Sequence, residues 1–242
     1  MRFKLEIALV LGLSLGKSAV YSIVSLITVL TSPSGLAGAK VTINRSVSAQ
    51  PVVDLIYQVL GIAFSLVPVA LCLYLLSDRG NPFKLIGFEA KPVAKNLVQG
   101  LSLAAAIGIP GLGLYLAARY LGLSAQIETS NLSAHWWTVP VLLLAAVGAA
   151  LLEEVIMVGY LFERLKQLGR SKWATILISA SIRGSYHLYQ GFGGFVGNFA
   201  MGVVFGYLYK KYGRLTPLVI AHFVLDAVSF VGYPLAKQFL PL

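Results

Sequence analysis

The chain has 242 residues, of which 57% are apolar and only 12% charged, and its mean hydropathy is +0.80. A chain of this size with so few charged residues could not cover the surface of a soluble domain. The composition therefore excludes a soluble domain and predicts an integral membrane protein. The formal net charge of +10 comes from lysines and arginines in short connections between apolar runs, which indicates membrane orientation and argues against a nucleic-acid partner.

Seven apolar segments are long enough to cross a bilayer as helices, because about 20 residues span a hydrocarbon core of ~30 Å. In chain order they lie near residues 5–30, 52–76, 97–121, 136–163, 172–190, 194–210 and 215–233, and the sixth is the shortest. The first is too long for a signal peptide, although the chain starts with basic residues. Connection 77–92 is rich in glycine and proline, which predicts irregular structure or a short surface helix.

We therefore predict an all-α polytopic transmembrane helical bundle of about seven spans. Residues 1–130 are expected to hold three spans and their loops. Residues 131–242 are expected to form a catalytic core from the last four spans.

The lysines and arginines also predict the orientation, because short cytoplasmic connections carry them in excess. An N-terminus in the cytoplasm and a C-terminus outside place thirteen of them inside and four outside, as expected for the bacterial plasma membrane. The inner set is Arg2, Lys4, Arg79, Lys84, Lys91, Lys95, Arg164, Lys166, Arg170, Lys172, Lys210, Lys211 and Arg214, and the outer set is Lys40, Arg45, Arg119 and Lys237.

Ionisable side chains occur deep inside three of the predicted spans. They are Glu153, Glu154, Arg183, His187, His222 and Asp226. The helical rise from the nearest cytoplasmic basic residue puts them at a common level, roughly 12 to 22 Å deep. The last four form two pairs with a spacing of four residues, so each pair is expected to share one helix face. Glu153 and Glu154 differ by about 100° around a helix, so we expect them to point at different centres.

The energetic cost of these groups indicates a function. A charge at mid-membrane costs roughly 2.5 to 3.5 kcal/mol, so four of them cost on the order of 10 kcal/mol, which is comparable with the stability of a whole domain. The alternative is a buried network that only holds the helices together, but interhelical hydrogen bonds contribute ~0.6 kcal/mol each on average. A hydrophilic site between the last four spans is the better interpretation.

Three short motifs occur in order along these spans, namely EEVIMVGYLFERL, RGSYHLYQGFGG and AHFVLD. Together they resemble the CPBP family of intramembrane proteases, which includes the CAAX prenyl endopeptidases and bacterial proteins of bacteriocin processing and immunity. The resemblance covers roughly residues 140–233. The family's Glu-Glu-x-x-x-Arg motif has Val158 at the arginine position, and its Phe-x-x-x-His motif has Arg183 at the phenylalanine position. We predict that Arg183 replaces the missing cation and pairs with Glu154.

The resemblance implies an endopeptidase that cleaves a membrane-associated protein or peptide. It implies catalytic positions at Glu153, Glu154, His187, His222 and Asp226. Glu153 is expected to activate water, and His187 to hold that water or to protonate the leaving amine. His222 and Asp226 match a motif thought to stabilise the oxyanion, where asparagine often replaces the aspartate. Because an ionised aspartate repels an oxyanion, Asp226 is expected to be protonated, to orient His222, or to help hold a metal.

Two alternatives remain at this point. Glu153, His187 and His222 form a donor set able to bind zinc with water as fourth ligand, although the HExxH spacing of common zinc proteases is absent, so a metal-free site is the first expectation. The departures at Val158 and Asp226 favour, as second function, a non-catalytic membrane binding or immunity protein that keeps the pocket. A proton-coupled transporter is disfavoured because the sequence has no inverted repeat.

Overall fold

A computed structural model of the protein describes residues 2–232. These residues form a helical bundle with one short two-stranded sheet, which confirms the all-α class. The last residue of the predicted seventh span, Lys237 and the C-terminus lie outside the described residues. The predicted orientation and the division at residue 130 stay predictions.

Helices account for most of the described chain. The α-helices are α1 (Arg2–Leu13), α2 (Leu15–Leu30), α3 (Gly35–Gly38), α4 (Pro51–Ser65), α5 (Val67–Leu76), α6 (Pro82–Leu85), α7 (Val93–Tyr120), α8 (Thr138–Glu153), α9 (Leu161–Gln167), α10 (Lys172–Ser185), α11 (Phe192–Tyr212) and α12 (Thr216–Ala227). Glu154–Tyr160 and Val228–Gly232 are π-helices, Ser77–Arg79 and Leu188–Gln190 are 3₁₀-helices, and the strands are β1 (Lys40–Asn44) and β2 (Gln126–Ser130). The 3₁₀-helix after α5 and the short α6 agree with the structure predicted for connection 77–92.

Within residues 2–232, four continuous helices are long and apolar enough to cross a membrane, or five if α1 and α2, bent by 56° at their junction, form one span. The four are Pro51–Arg79, Val93–Tyr120, Thr138–Gln167 and Phe192–Tyr212. The seven predicted spans are therefore not all reproduced. The fifth is shortened because α10 ends after 14 residues and a turn with a 3₁₀-helix follows, and the seventh becomes the short apolar helix Thr216–Gly232. The sixth, predicted to be the shortest, is a complete helix of 21 residues.

Glycines on α7 and α11 let the helices around the site pack closely. A Cβ at Gly202 of α11 would lie 2.9 Å from Cα of Ala180 on α10, and one at Gly206 would lie 2.9 Å from the ring of Phe162. Larger residues would push these helices apart. Helices α10 and α11 pack along most of their length, and α12 lies between α7 and α8.

The connections define two ends of the bundle. At one end, which we call the basic end, the start of α7, the start of α12 and the end of α11 meet, and Arg214 Nη2 lies 2.6 Å from Asn96 Oδ1. At the other end β1 and β2 pair in parallel with Lys40 opposite Gln126, and Ala125 N donates to Gln190 O at 3.0 Å. This sheet was not predicted, because each strand has only five residues and its partner is more than 80 positions away in the sequence.

Candidate active site

The two adjacent glutamates lie where α8 changes into a π-helix. Glu153 is the last residue of α8 and Glu154 the first of the π-helix. Both carboxylates approach Arg183 Nη2, at 3.9 Å for Glu153 Oε2 and 2.5 Å for Glu154 Oε1. The expectation that they point at different centres was therefore wrong. Glu153 and Glu154 both have α-helical backbone angles, so they leave the helix in different directions, and their long flexible side chains bend toward the same guanidinium.

Glu154 joins three helical segments. Its side chain is fully buried, and Oε1 accepts a hydrogen bond from Arg183 on α10 and lies 2.7 Å from His222 Nδ1 on α12. The guanidinium of Arg183 also stands 5.4 Å from the ring centroid of Phe205. The ion pair expected from the sequence is present in the structure. Val158, at the position of the family's arginine, is buried in the apolar core.

Glu153 has a different environment. Its side chain is 12% exposed, and Oε2 accepts a hydrogen bond of 2.7 Å from the hydroxyl of Tyr186. His222 Nε2 lies 4.0 Å from the same oxygen. The backbone carbonyl of Tyr186 in turn accepts from Ser22 Oγ at 2.8 Å, so α2 supports the turn that holds the glutamate. Tyr186 was not predicted as a site residue, because only its position beside His187 pointed to it.

His187 is placed by the turn that follows α10. The helix ends at Ser185, so His187 does not continue the helix face of Arg183 as predicted. The two remain close because His187 Nδ1 lies 3.0 Å from the backbone oxygen of Arg183. A carbonyl oxygen only accepts, so this contact requires the proton on Nδ1 and leaves Nε2 available as an acceptor in the neutral ring. The ring packs against Tyr186, with 4.7 Å between centroids.

His222 is surrounded by carboxylates. Its Nδ1 contacts Glu154, and its Nε2 lies 3.6 Å from Asp226 Oδ2, one turn further along α12. Both Asp226 and Glu153 are too far from Nε2 for a hydrogen bond. Three carboxylates thus face two cationic groups, Arg183 and His222, and a protonated His222 leaves one surplus negative charge. Uptake of one proton by a carboxylate makes the cluster neutral.

The cluster opens into a cavity of about 380 Å³ between α7, α8, α11, α12 and the sheet. The ionisable side chains of its wall are Glu153, His187, Tyr115, Tyr189, His222 and Asp226, and its apolar wall includes Ile43, Ile107, Leu114, Ile127, Met201, Leu225 and Phe230. Glu154 and Arg183 are buried behind this wall. A cavity of this size and polarity can hold water beside a ligand. The structure thus brings all six sequence-predicted residues to one place.

The proposed zinc ligands do not form a preassembled metal site. Within residues 2–232, no group of three or more His, Cys, Asp or Glu side chains is arranged to hold a metal ion. Glu153, His187 and His222 are not arranged as such a group in this structure, so the arrangement of these side chains gives no support to the zinc alternative.

An apolar helical bundle that encloses a cavity lined by acids and imidazoles belongs to the class of membrane-embedded proteins with a buried hydrophilic site. Residues 135–228 match a family model described as "Type II CAAX prenyl endopeptidase Rce1-like". This match, over less than half of the chain, contains all six site residues and confirms the resemblance to the CPBP and CAAX protease family in this region. No match was found among curated proteins or solved structures.

Proposed function

We propose that the protein is an intramembrane endopeptidase in which Glu153 activates the attacking water. The observation that carries the proposal is the position of this carboxylate in the cavity wall. Tyr186 holds Oε2, while Oε1 makes no hydrogen bond with any residue in 2–232. One oxygen is thus oriented and the other is available to accept a proton from water.

The reaction begins when a water in the cavity gives a proton to Glu153 and its oxygen attacks the carbonyl carbon of the scissile peptide. A tetrahedral oxyanion forms. Glu153 then passes its proton to the amide nitrogen, the C–N bond breaks, and an amine and a carboxylic acid leave. Because the cluster carries a surplus negative charge, proton uptake by Glu153 brings it closer to neutrality, and this favours the first step.

His222 is the group best placed to stabilise the oxyanion. Glu154 fixes its Nδ1, and its Nε2 lies in the cavity wall without a hydrogen bond to Glu153 or Asp226. A protonated His222 can therefore donate from Nε2 to the developing charge. Of the three roles considered for Asp226, orientation of a charged His222 agrees best with the distance of 3.6 Å.

His187 is proposed to hold the attacking water. The carbonyl of Arg183 fixes the ring in the tautomer that leaves Nε2 as an acceptor. Glu153 and His187 both line the cavity, so one water can donate to both. This places the lone pair of the water oxygen toward the substrate.

The substrate is proposed to be a membrane-associated protein or peptide. The matched family description names prenyl endopeptidases, so a prenylated C-terminal peptide is the first substrate to assay. An unprenylated peptide of the same sequence is the matched comparison. The second candidate is a non-catalytic membrane binding or immunity protein that retains the pocket. Asp226 favours it, because an ionised and unpaired aspartate would repel an oxyanion.

The experiment has two parts. The first compares cleavage of both peptides by native protein and by Glu153→Gln in proteoliposomes, and the second compares the membrane proteomes of cells that express one or the other form. We expect Glu153→Gln to lower kcat/KM by roughly 10²- to 10⁴-fold, the usual contribution of a general base. The thermal midpoint should change little, because glutamine keeps the acceptor for Tyr186. If neither form cleaves any membrane protein while both still bind peptide, the non-catalytic function is correct.

A further inference from the structure

A second cavity, of about 390 Å³, lies between α7, α11 and the start of α12 at the basic end. We call it the basic-end groove. Its lining residues are Val98, Gln99, Ser102, Leu103, Leu208, Tyr212, Arg214, Pro217 and Leu218. None of these lines the cavity beside Glu153, which we call the catalytic cavity after its proposed function and which starts about one helical turn further along α7 at Ile107. The groove therefore has no part in the proposed chemistry.

The mouth of the groove is cationic. Arg214 Nη2 bonds to Asn96 and to the backbone oxygen of Lys91, at 2.6 and 3.3 Å, while its Nε and Nη1 make no hydrogen bond within residues 2–232. Lys95 lies one turn before Gln99 on the same face of α7. Lys211 Nζ stands 5.1 Å from the ring centroid of Tyr212, which lines the groove.

No lining residue of the groove is acidic. Glu89, in the connection before α7, is an exposed carboxylate on that side, but Lys95, Lys211 and Arg214 outnumber it. The mouth therefore attracts a negatively charged group, and Arg214 is already held in place with free donors for it.

The groove has polar and apolar side chains next to each other. Gln99 and Ser102 line it, and neither side chain makes a hydrogen bond within the described part of the chain. Val98 and Leu103 lie next to them on α7, and Leu218 lines the groove from α12. The groove thus combines a cationic mouth with neutral donors and hydrocarbon.

We propose that the basic-end groove binds an anionic glycerophospholipid. The phosphate lies at Arg214, Lys95 and Lys211, the glycerol esters accept from Gln99 and Ser102, and one acyl chain packs between α7 and α11. This molecule combines an anion, esters and hydrocarbon, as the groove combines cations, donors and apolar side chains. Free phosphate lacks the apolar part, and a zwitterionic lipid lacks the net charge.

The test uses the purified full chain and native mass spectrometry with phosphatidylglycerol and phosphatidylcholine of identical acyl chains. We expect about tenfold tighter binding of phosphatidylglycerol, because basic groups near a membrane surface each favour anionic lipid. The double variant Lys95→Gln/Lys211→Gln should reduce this preference to about twofold. The control Lys84→Gln, an exposed lysine of α6, should keep it.

A second pair of variants tests the chain-binding part. Val98→Trp fills the groove and should weaken both lipids several-fold, whereas Leu101→Trp, at an exposed position of α7 that does not line the groove, should weaken neither. Equal affinity for both lipids, or equal losses in the groove variants and their controls, would mean annular lipid only and would overturn the proposal. Displacement of phosphatidylglycerol by millimolar inorganic phosphate would also overturn it, since the site would then recognise the anion alone.

Discussion

Arg164 and Arg183 are both about 1% exposed and both pair with a glutamate, yet their surroundings differ. Arg164 uses all three of its nitrogens, since Nε bonds to Glu6 at 2.6 Å, Nη1 to Gln167 at 3.1 Å and Nη2 to the backbone oxygen of Leu75 at 2.6 Å. Arg183 Nη1 has no protein partner within residues 2–232. The first pair lies away from both large cavities, and the second lies behind the wall of the catalytic cavity.

The comparison separates two uses of a buried ion pair. Around Arg164 one carboxylate balances one cation, and the Tyr160 hydroxyl donates a hydrogen bond of 2.9 Å to Glu6. This ion pair therefore joins α1 to α9. Around Arg183 there is one carboxylate more than there are cations, and an acid of the same cluster faces open space. A balanced, enclosed pair stabilises the fold, whereas an unbalanced pair beside a cavity can support proton transfer.

The largest expected effect comes from Arg183→Phe, which puts the family's usual residue at this position. It removes the arginine partner of the fully buried Glu154, so we expect a loss of about 3–5 kcal/mol in the free energy of unfolding and loss of cleavage. Adding Val158→Arg should restore most of both. Thermal unfolding in detergent and the peptide assay measure this, and a double variant no better than the single one would show that Arg183 is not the replacement cation.

Glu6→Gln tests the other pair. Removal of one partner of a buried pair should cost about 3 kcal/mol of stability, because Arg164 keeps its other hydrogen bonds but loses the balancing charge. Cleavage per folded molecule should stay within about twofold of native, since Glu6 lies outside the catalytic cavity. Active-site titration with the peptide assay checks this. A tenfold loss per folded molecule would mean that both pairs serve the chemistry.

Tyr186→Phe sharpens the difference between the two glutamates. A hydrogen bond to a charged group contributes about 1.5–3 kcal/mol, so its loss should lower kcat by roughly tenfold as Glu153 becomes less well oriented. KM should change little if Tyr186 acts only through Glu153. The matched control is Tyr189→Phe, whose ring stacks on His187 without contacting the glutamates. A change confined to KM would contradict this role.

The smallest expected effect is that of metal removal. Because the acid and imidazole groups form no preassembled set of three ligands, treatment with a chelator should change the cleavage rate by less than about twofold. Metal analysis of the same purified sample provides the control. Loss of activity that returns only with zinc would show that the donors rearrange around a metal.

The sequence was sufficient for the charged part of the site. Spacing along the helices and the cost of charge in the membrane identified Glu153, Glu154, His187, His222 and Asp226, and exchange of a cation between motif positions indicated the pairing of Arg183 with Glu154. The structure places these residues together, as expected because an ionisable residue in an apolar run is a strong signal, while their catalytic roles stay predictions.

The remaining features depend on tertiary structure. The long side chains of Glu153 and Glu154 bend toward one guanidinium from neighbouring helix positions, and an α-helical wheel does not predict such bending. No role was predicted for Tyr186 or Glu6, because their side chains bond to Glu153 and Arg164 on other helices and the sequence does not show such contacts. The predicted fifth span differs from the structure because a hydropathy window of about 20 residues joined α10 to the turn and 3₁₀-helix that follow it.

The most direct test of the central claim is cleavage in H₂¹⁸O by native protein, Glu153→Gln and Glu6→Gln side by side in the same liposomes. We predict one ¹⁸O atom in the new carboxyl group of the product from native protein and from Glu6→Gln, and no product above background from Glu153→Gln. Cleavage by Glu153→Gln at the native rate, with the same label, would contradict the assignment of Glu153 as the group that activates water.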